Sequence, residues 1–368
     1  MKKVRHVLGI SGGKDSAALA VYLRNRYPKL DIEYYTCDTG KELEETYELI
    51  KNLEVFLGKK IIRLKAAEGS SEEPFDHFLK LYGNFLPSAN SRWCTKKLKL
   101  EPFEKFVGND LVVSYVGIRG DEEREGYISR KPNIQSIFPF RRNIWSEDVI
   151  SKAFANSNIK LILELLNQHV NSDKSYYFSE IIERPLSLEF QLSKKVDMLL
   201  DISVKDLNSL IFAFVRTTSY PLAYVKSFPL IDNEDILCRD DIFKILDESG
   251  IGVPKYYNKI DFKIDGQKVG QYSRTRSGCF FCFFQQKIEW VWLYEQHKDL
   301  FHIAQEYEKD GYTWNQNESL ADLVKPERLK QIKEEYLKRT IINTNEKSPF
   351  LLDILDDGEN DGCAACFI

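Results

Sequence analysis

The sequence lacks any long apolar run. No segment approaches the roughly 20 consecutive apolar residues of a membrane-spanning helix, and the apolar stretch after Met1 is too short for a signal peptide. The net charge of −4 over 368 residues gives no general attraction to nucleic acid or to an anionic membrane. We therefore expect a cytoplasmic protein with no membrane partner, in which any contact with a polyanion is made by a local patch.

Cysteine is present at seven positions, and four of these form two Cys-x-x-Cys pairs. In a reducing compartment such pairs bind metal or act in redox chemistry more often than they form disulfides. Two further cysteines, Cys37 and Cys238, are expected to be small buried residues. The pairs and the remaining cysteine are therefore candidate metal ligands: Cys94, Cys279, Cys282, Cys363 and Cys366.

Residues 9–16 read Gly-Ile-Ser-Gly-Gly-Lys-Asp-Ser and join a short apolar run to an alanine-rich stretch. This pattern predicts a buried strand, a tight glycine turn and the start of a helix, whose free N–H groups favour an anion. The loop differs from the Walker loop, which lacks the internal aspartate. The sequence therefore predicts a polyphosphate site formed by Ser11, Gly12, Gly13, Lys14, Asp15 and Ser16.

Strands and helices alternate up to about residue 120, a pattern typical of a parallel α/β sheet covered on both faces. The carboxyl ends of parallel strands meet at one edge, where open sheets of this class bind ligands. The predicted strands are 4–10, 31–36, 60–65 and 112–117, and the predicted helices are 14–26, 41–57, 72–82 and 96–107.

Beyond the sheet the pattern becomes mostly helical, with two or three helical stretches predicted between residues 150 and 215. We divide the chain into a nucleotide-binding core (1–143), a helical insertion (144–225), a C-terminal region with the first Cys-x-x-Cys pair (226–345) and an acidic tail with the second pair (346–368).

Two further polar segments follow predicted strands. Asp38, Thr39 and Gly40 end the second strand, where they can bind a ribose or an adenine edge or cap the next helix. Gly117 and Arg119 follow the fourth strand. An arginine there can clamp a phosphate with two parallel hydrogen bonds or form a surface ion pair with a neighbouring acid.

Together these three segments resemble the PAPS (phosphoadenosine phosphosulfate) reductase-like ATP pyrophosphatases of the PP-loop superfamily, over roughly residues 5–140 and 226–310. The resemblance implies a parallel-sheet adenine-nucleotide hydrolase core that cleaves ATP between its α and β phosphates with Mg²⁺. Lys14, Asp15 and Arg119 would then be catalytic. The other residues of the three segments would bind the nucleotide: Ser11, Gly12, Gly13, Ser16, Asp38, Thr39, Gly40 and Gly117.

The same resemblance implies a [4Fe–4S] cluster. Relatives hold one with a cysteine of the sheet domain and a Cys-x-x-Cys pair, here Cys94, Cys279 and Cys282, and a fourth ligand would come from Cys238, Cys363, Cys366 or a non-protein group. The alternatives are a structural zinc site and no bound metal. The zinc site would use the two pairs alone, Cys279, Cys282, Cys363 and Cys366.

Among such families the chain is most similar to the sulfur-transfer pyrophosphatases of DNA phosphorothioation systems, which act in phage defence. This implies adenylation of a substrate, for which a DNA backbone phosphate is the candidate, with a cysteine desulfurase and other modification subunits as partners. Six basic residues could form a local patch for a DNA backbone, or could instead be a solvated basic face: Lys96, Lys97, Lys99, Arg274, Arg276 and Lys287.

Two alternative functions remain open. One is a PAPS or adenosine phosphosulfate reductase that uses a C-terminal cysteine, and the other is a nucleotide-sensing, non-catalytic subunit of a defence complex. The complete loop at residues 11–16 favours the pyrophosphatase, because reductases often lack its lysine and aspartate. The tail also lacks the Glu-Cys-Gly-Leu-His sequence that carries the nucleophile of the reductases.

Overall fold

The structure, a computed structural model, describes residues 3–122, 129, 131–170, 173–316 and 318–345. The predicted acidic tail, with Cys363 and Cys366, lies outside the described residues.

A five-stranded parallel sheet forms the centre of the first part of the chain, in the order β3-β2-β1-β4-β5. The predicted α/β fold class is therefore confirmed. The order reverses beside β1, so that the carboxyl ends of β1, β2 and β4 surround one crevice. The strands are β1 (Val4–Gly9), β2 (Ile32–Asp38), β3 (Ile61–Lys65), β4 (Leu111–Tyr115) and β5 (Ile134–Ile137).

The edge strand β5 is absent from the predicted strands, because four residues are too few to carry an alternating pattern. All four of its residues are buried. A turn of 3₁₀-helix at Pro221–Tyr224 covers this edge, and the Leu222 N–H donates to Gln135 Oε1 at 3.0 Å.

The helices beside the sheet follow the predicted pattern closely. The first begins and ends where predicted, and its residues 14–23 are all buried, because its alanines let it lie close to the strands. The predicted helix 96–107 is instead a π-helical turn (Lys96–Leu100) followed by a short α-helix (Glu101–Val107), and one further turn of helix (Trp93–Thr95) precedes them. Pro102 has no N–H to continue the regular ladder. The helices are α1 (Lys14–Arg26), α2 (Glu44–Leu57), α3 (Pro74–Leu81), α4 (Trp93–Thr95) and α5 (Glu101–Val107).

Residues 144–225 are helical, as predicted, but the helices are shorter and more numerous than the two or three expected. Ser203 alone separates two of them, and its hydroxyl caps the second by accepting from the Asp206 N–H at 3.2 Å. The predicted boundaries at 143 and 225 remain predictions, and one continuous apolar cluster joins these helices to the sheet. The helices are α6 (Glu147–Ala153), α7 (Ile159–His169), α8 (Ser175–Glu183), α9 (Leu192–Ile202) and α10 (Val204–Val215).

The C-terminal region adds a hairpin and further helices. Asp265 and Gly266, both with positive φ, form the two-residue turn between β6 and β7. A second apolar cluster joins Phe281 and Trp290 of this region to Phe75 and Trp93 beside the sheet. The elements are α11 (Arg239–Glu248), β6 (Ile260–Ile264), β7 (Gln267–Tyr272), α12 (Lys287–Gln296), α13 (Lys298–Glu306), α14 (Leu320–Leu323) and α15 (Pro326–Asn345).

Within the described part of the chain, no helix has the length and apolar character needed to cross a bilayer.

Candidate nucleotide site and cysteine cavity

The loop between β1 and α1 is held in shape by its own serines. The hydroxyls of Ser11 and Ser16 lie 3.1 Å apart, and Ser16 Oγ donates to the Gly13 carbonyl at 3.2 Å. Gly12 has a φ of +74°, a conformation that L side chains rarely adopt. Gly13, the residue before α1, offers no side-chain cap for the N–H groups of the first helical turn.

The three residues predicted to be catalytic lie together beside this loop, and all are buried. Arg119 Nη1 lies 3.0 Å from Asp15 Oδ1, and Lys14 Nζ lies 3.3 Å from Asp15 Oδ2. Arg119 also pairs with Asp121 through Nε at 2.9 Å and with Glu122 through Nη1 at 3.4 Å. The pair of Arg119 with Glu122 is therefore buried, whereas its pair with Asp121 reaches the surface.

These carboxylates stabilise the charged form of Arg119. Burial lowers its pKa, but the negative charges of Asp15 and Glu122, with hydrogen bonds to Asp121 and Asp15, outweigh burial and raise the pKa above the usual value. Gly117 lets the segment after β4 lie close to the start of α1, since a Cβ at that position would lie 3.0 Å from the Asp15 carbonyl oxygen.

The segment after β2 forms a tight turn at the same edge. Asp38 Oδ1 accepts from the Gly40 N–H at 3.0 Å and from the Tyr47 hydroxyl at 3.2 Å. Thr39 Oγ1 donates to Glu42 Oε1 at 2.6 Å. Because α2 begins only at Glu44, with Leu43 in the cap position, neither Asp38 nor Thr39 caps the helix.

Two tyrosines and a serine from the C-terminal region also contact the loop, and sequence reasoning missed this role. The Tyr256 hydroxyl donates to the Gly12 carbonyl at 3.1 Å. The Lys14 N–H donates to the Tyr257 hydroxyl at 3.5 Å. A Cβ at Gly13 would come within 2.4 Å of Ser277 Oγ. About 240 residues separate these partners along the chain, and no local pattern signals such contacts.

Three of the predicted metal ligands, Cys94, Cys279 and Cys282, line one small cavity of about 50 Å³ with mostly apolar walls. The cavity adjoins the turn after β2, because Cys279 Sγ lies 3.2 Å from Thr39 Oγ1. The Phe280 N–H donates to the Lys41 carbonyl at 2.9 Å, which fixes the Cys-x-x-Cys loop there. Burial, aided by the charge of Glu42, raises the pKa of the Cys279 thiol above its usual value.

The donor chemistry of this cavity fits a soft metal or an iron–sulfur cluster, since thiolates are the usual ligands of both. Among the residues that the structure describes, however, no three His, Cys, Asp or Glu side chains are grouped as a metal site. The ligand set therefore remains a prediction.

Cys37 and Cys238, the other two cysteines that the structure describes, lie outside the cavity lining. They are only partly buried, whereas the sequence predicted buried residues. Burial raises the pKa of Cys37 to about 12, and its thiol donates to the Lys99 carbonyl at 3.6 Å. Cys238 occupies the N-cap position of α11, where its side chain accepts from the backbone.

The predicted basic patch is divided by the fold. Arg274 is 2% exposed and therefore does not belong to the surface. Lys97 and Lys287 form ion pairs with Glu101 at 2.8 Å and Glu318 at 2.5 Å. The Cζ atoms of Arg92 and Arg276 instead lie 4.9 and 5.8 Å from the ring centre of Phe284, which lines the cysteine cavity.

A glycine loop after β1 and buried charges lie together at the carboxyl ends of the parallel strands, which is where open α/β sheets bind their ligands. Residues 5–169 match the phosphoadenosine phosphosulfate reductase domain. This part of the chain is therefore similar to the PAPS reductase-like proteins.

Two curated relatives, both uncharacterized proteins of Methanocaldococcus jannaschii, match part of the chain. One is 36% identical over 145 residues, which cover 36% of this chain and 28% of the relative. The other is 29% identical over 148 residues, which cover 37% of this chain and 34% of the relative. The matched part thus spans about a third or less of each relative.

Among solved structures, a phosphoadenylyl-sulfate reductase from Candida auris, in complex with phosphate, is 18% identical and has a TM-score of 0.29. That comparison covers 39% of this chain and 66% of the reductase.

Proposed function

We propose that this protein is an ATP pyrophosphatase that adenylates a substrate for sulfur transfer. The observation that supports the proposal is the 3.2 Å distance between Cys279 Sγ and Thr39 Oγ1, because it brings the cysteine cavity to the edge of the sheet where we propose that the nucleotide binds. A site that only hydrolysed ATP would have no need of thiols at this edge.

The charge balance of the loop favours ATP bound with a divalent cation. The carboxylates of Asp15, Asp121 and Glu122 face the cations of Lys14 and Arg119, and together they leave one net negative charge. A polyphosphate adds further negative charge, so Mg²⁺ is needed to neutralise it. Carboxylate oxygens such as those of Asp15 are its preferred protein ligands.

The reaction we propose has two displacements. The loop N–H groups and the hydroxyls of Ser11 and Ser16 hold the β and γ phosphates, and Lys14 and Arg119 stabilise the developing charge. A substrate oxygen then forms a bond to the α phosphorus, and the bond to pyrophosphate breaks. A sulfur nucleophile afterwards displaces AMP from the adenylated substrate.

The cysteine cavity is the proposed place of a [4Fe–4S] cluster held by Cys94, Cys279 and Cys282, with a fourth ligand from elsewhere. A cluster with one iron not bound by protein would supply a binding site for sulfur. A zinc site formed by the two Cys-x-x-Cys pairs is the competing proposal.

A DNA backbone phosphate is the proposed acceptor, and a cysteine desulfurase is the proposed source of sulfur. Arg92 and Arg276, beside the Phe284 ring, support a polyanionic substrate at the mouth of the cavity. Guanidinium groups bind phosphates, and an aromatic ring can stack on a base.

The test is release of pyrophosphate from ATP, with DNA and a sulfur donor present, by the wild-type protein and by Asp15→Ala. We expect release by the wild-type protein only, because Asp15 orders both cations of the site. Absence of pyrophosphate under every substrate condition would contradict the proposal.

A second candidate is the phosphosulfate reductase, which the domain match at residues 5–169 favours. This reaction would release sulfite from PAPS in the presence of a thiol reductant and would form no pyrophosphate. Measuring both products in parallel therefore separates the two functions.

A further inference from the structure

Tyr257 reaches the phosphate loop from the C-terminal region. It ends a 3₁₀ turn, Lys255–Tyr257, and its hydroxyl lies 3.5 Å from the backbone nitrogen of Lys14. The Lys14 ammonium lies 5.0 Å from the centre of the Tyr257 ring. The phenol therefore stands at the first N–H of α1, where a polyphosphate loop receives its ligand.

The hydroxyls of Tyr256 and Tyr257 make different hydrogen bonds. Tyr256 is 1% exposed, and its hydroxyl is committed to the Gly12 carbonyl at 3.1 Å. Tyr257 is only partly buried, and a 3.5 Å hydrogen bond is long and weak. An incoming phosphate oxygen can therefore take over the Lys14 N–H and accept from the Tyr257 hydroxyl at the same time.

The Tyr257 hydroxyl keeps its proton. Burial, together with the nearby Tyr256 and Asp15, raises its pKa well above the usual value. A protonated phenol can donate to a phosphate oxygen, whereas a phenolate would repel it.

We propose that the Tyr257 hydroxyl donates a hydrogen bond to the β or γ phosphate of the bound nucleotide. This inference rests on the proposed function and adds to it a phosphate-binding residue from outside the loop. The polyphosphate site is then complete only when the C-terminal region is docked on the sheet.

Calorimetry of the full-length Tyr257→Phe variant tests this assignment, with ATP, inorganic pyrophosphate and AMP as probes in the presence of Mg²⁺. The substitution removes one oxygen and keeps the ring against Lys14. We expect ATP and pyrophosphate to bind about 10- to 100-fold more weakly, as for loss of a hydrogen bond to a charged group, and AMP to bind as in the wild-type protein. Tyr312→Phe, at an exposed tyrosine, is the matched control.

The results distinguish a failure of the role assigned to Tyr257 from a failure of the proposed function. Equal affinities of the wild-type and Tyr257→Phe proteins for ATP and pyrophosphate would overturn the role of Tyr257 alone. Equal weakening of all three probes would also overturn it, because Tyr257 would then only support the fold. If the wild-type protein does not bind ATP, the proposed function fails, and this assignment fails with it.

Discussion

The guanidinium of Arg119 lies 3.0 Å from the carboxylate of Asp15, although 104 positions separate them in the sequence. The contact joins the end of β4 to the first turn of α1. Asp15 also contacts Lys14 at 3.3 Å, so one carboxylate pairs with both cations of the candidate site. Variants of this pair are therefore informative about both stability and activity.

Arg119→Lys should lower kcat/KM for pyrophosphate release about 100-fold. A single ammonium group cannot replace the planar guanidinium, which pairs with three carboxylates at once. The hydrogen bonds that lysine cannot make should also lower the free energy of unfolding by about 2 kcal/mol. Steady-state kinetics and urea denaturation measure the two effects. Arg142→Lys, in an exposed pair with Asp201, should change neither by much, and wild-type kinetics in Arg119→Lys would contradict the assigned role.

Gly12→Ala should disrupt the loop in two ways, by straining its backbone conformation and by forcing the added methyl group against Thr46. The φ of Gly12 is +74°, and an added Cβ would lie 2.2 Å from Thr46 Cγ2. We expect ATP binding, measured by calorimetry, to weaken at least tenfold.

Gly58→Ala is the control for conformation alone, because the φ of Gly58 is +62° and nothing lies within 4 Å of the added atom. It should cost about 1 kcal/mol of stability and leave ATP binding unchanged. Equal ATP affinities for the two alanine variants would show that space at Gly12 does not matter.

His6 should make stability depend on pH. Burial lowers its pKa to about 4, while the charge of Asp31 opposes this only in part. The unfolded chain, with a histidine pKa of about 6.5, therefore binds a proton that the folded protein excludes between these values. As the pH falls from about 6.5 to 4, the free energy of unfolding should decrease by up to about 3 kcal/mol.

Urea denaturation measures this dependence between about pH 7.5, one unit above the pKa of an unfolded histidine, and about pH 4.5, just above the folded pKa of about 4. His6→Gln should flatten the curve, whereas His302→Gln, at an exposed position, should leave it unchanged. Identical pH dependence in wild type and His6→Gln would assign the effect to other groups.

Serine substitutions should distinguish the two proposed metal sites. After anaerobic reconstitution, Cys279→Ser and Cys282→Ser should lose bound metal in either case, because both sites use this pair. Cys94→Ser should lose iron if a cluster is present and keep zinc if the two pairs bind zinc. Cys37→Ser, outside the cavity lining, is the control, and metal analysis with an absorption spectrum provides the measurement.

The local patterns of the sequence predicted much of the sheet domain. Helix α1 has the predicted bounds, Lys14–Arg26, because a glycine turn and an alanine-rich stretch specify its start and its buried face. The strand β5 and the joint at Ser203 were missed, since each depends on too few residues to form a periodic pattern.

The sequence predicted that the loop after β1, the turn after β2 and the Arg119 segment lie at one edge of the sheet, because each is a short polar run that follows a strand. Only the tertiary structure decided that Tyr256 and Tyr257 meet the loop, that Arg274 is buried, and that Cys94 and Cys279 line one cavity. These contacts arise when distant segments bury apolar surface against one another. The physical reason is that a local pattern encodes backbone conformation and exposure, whereas packing alone decides which distant residues become neighbours.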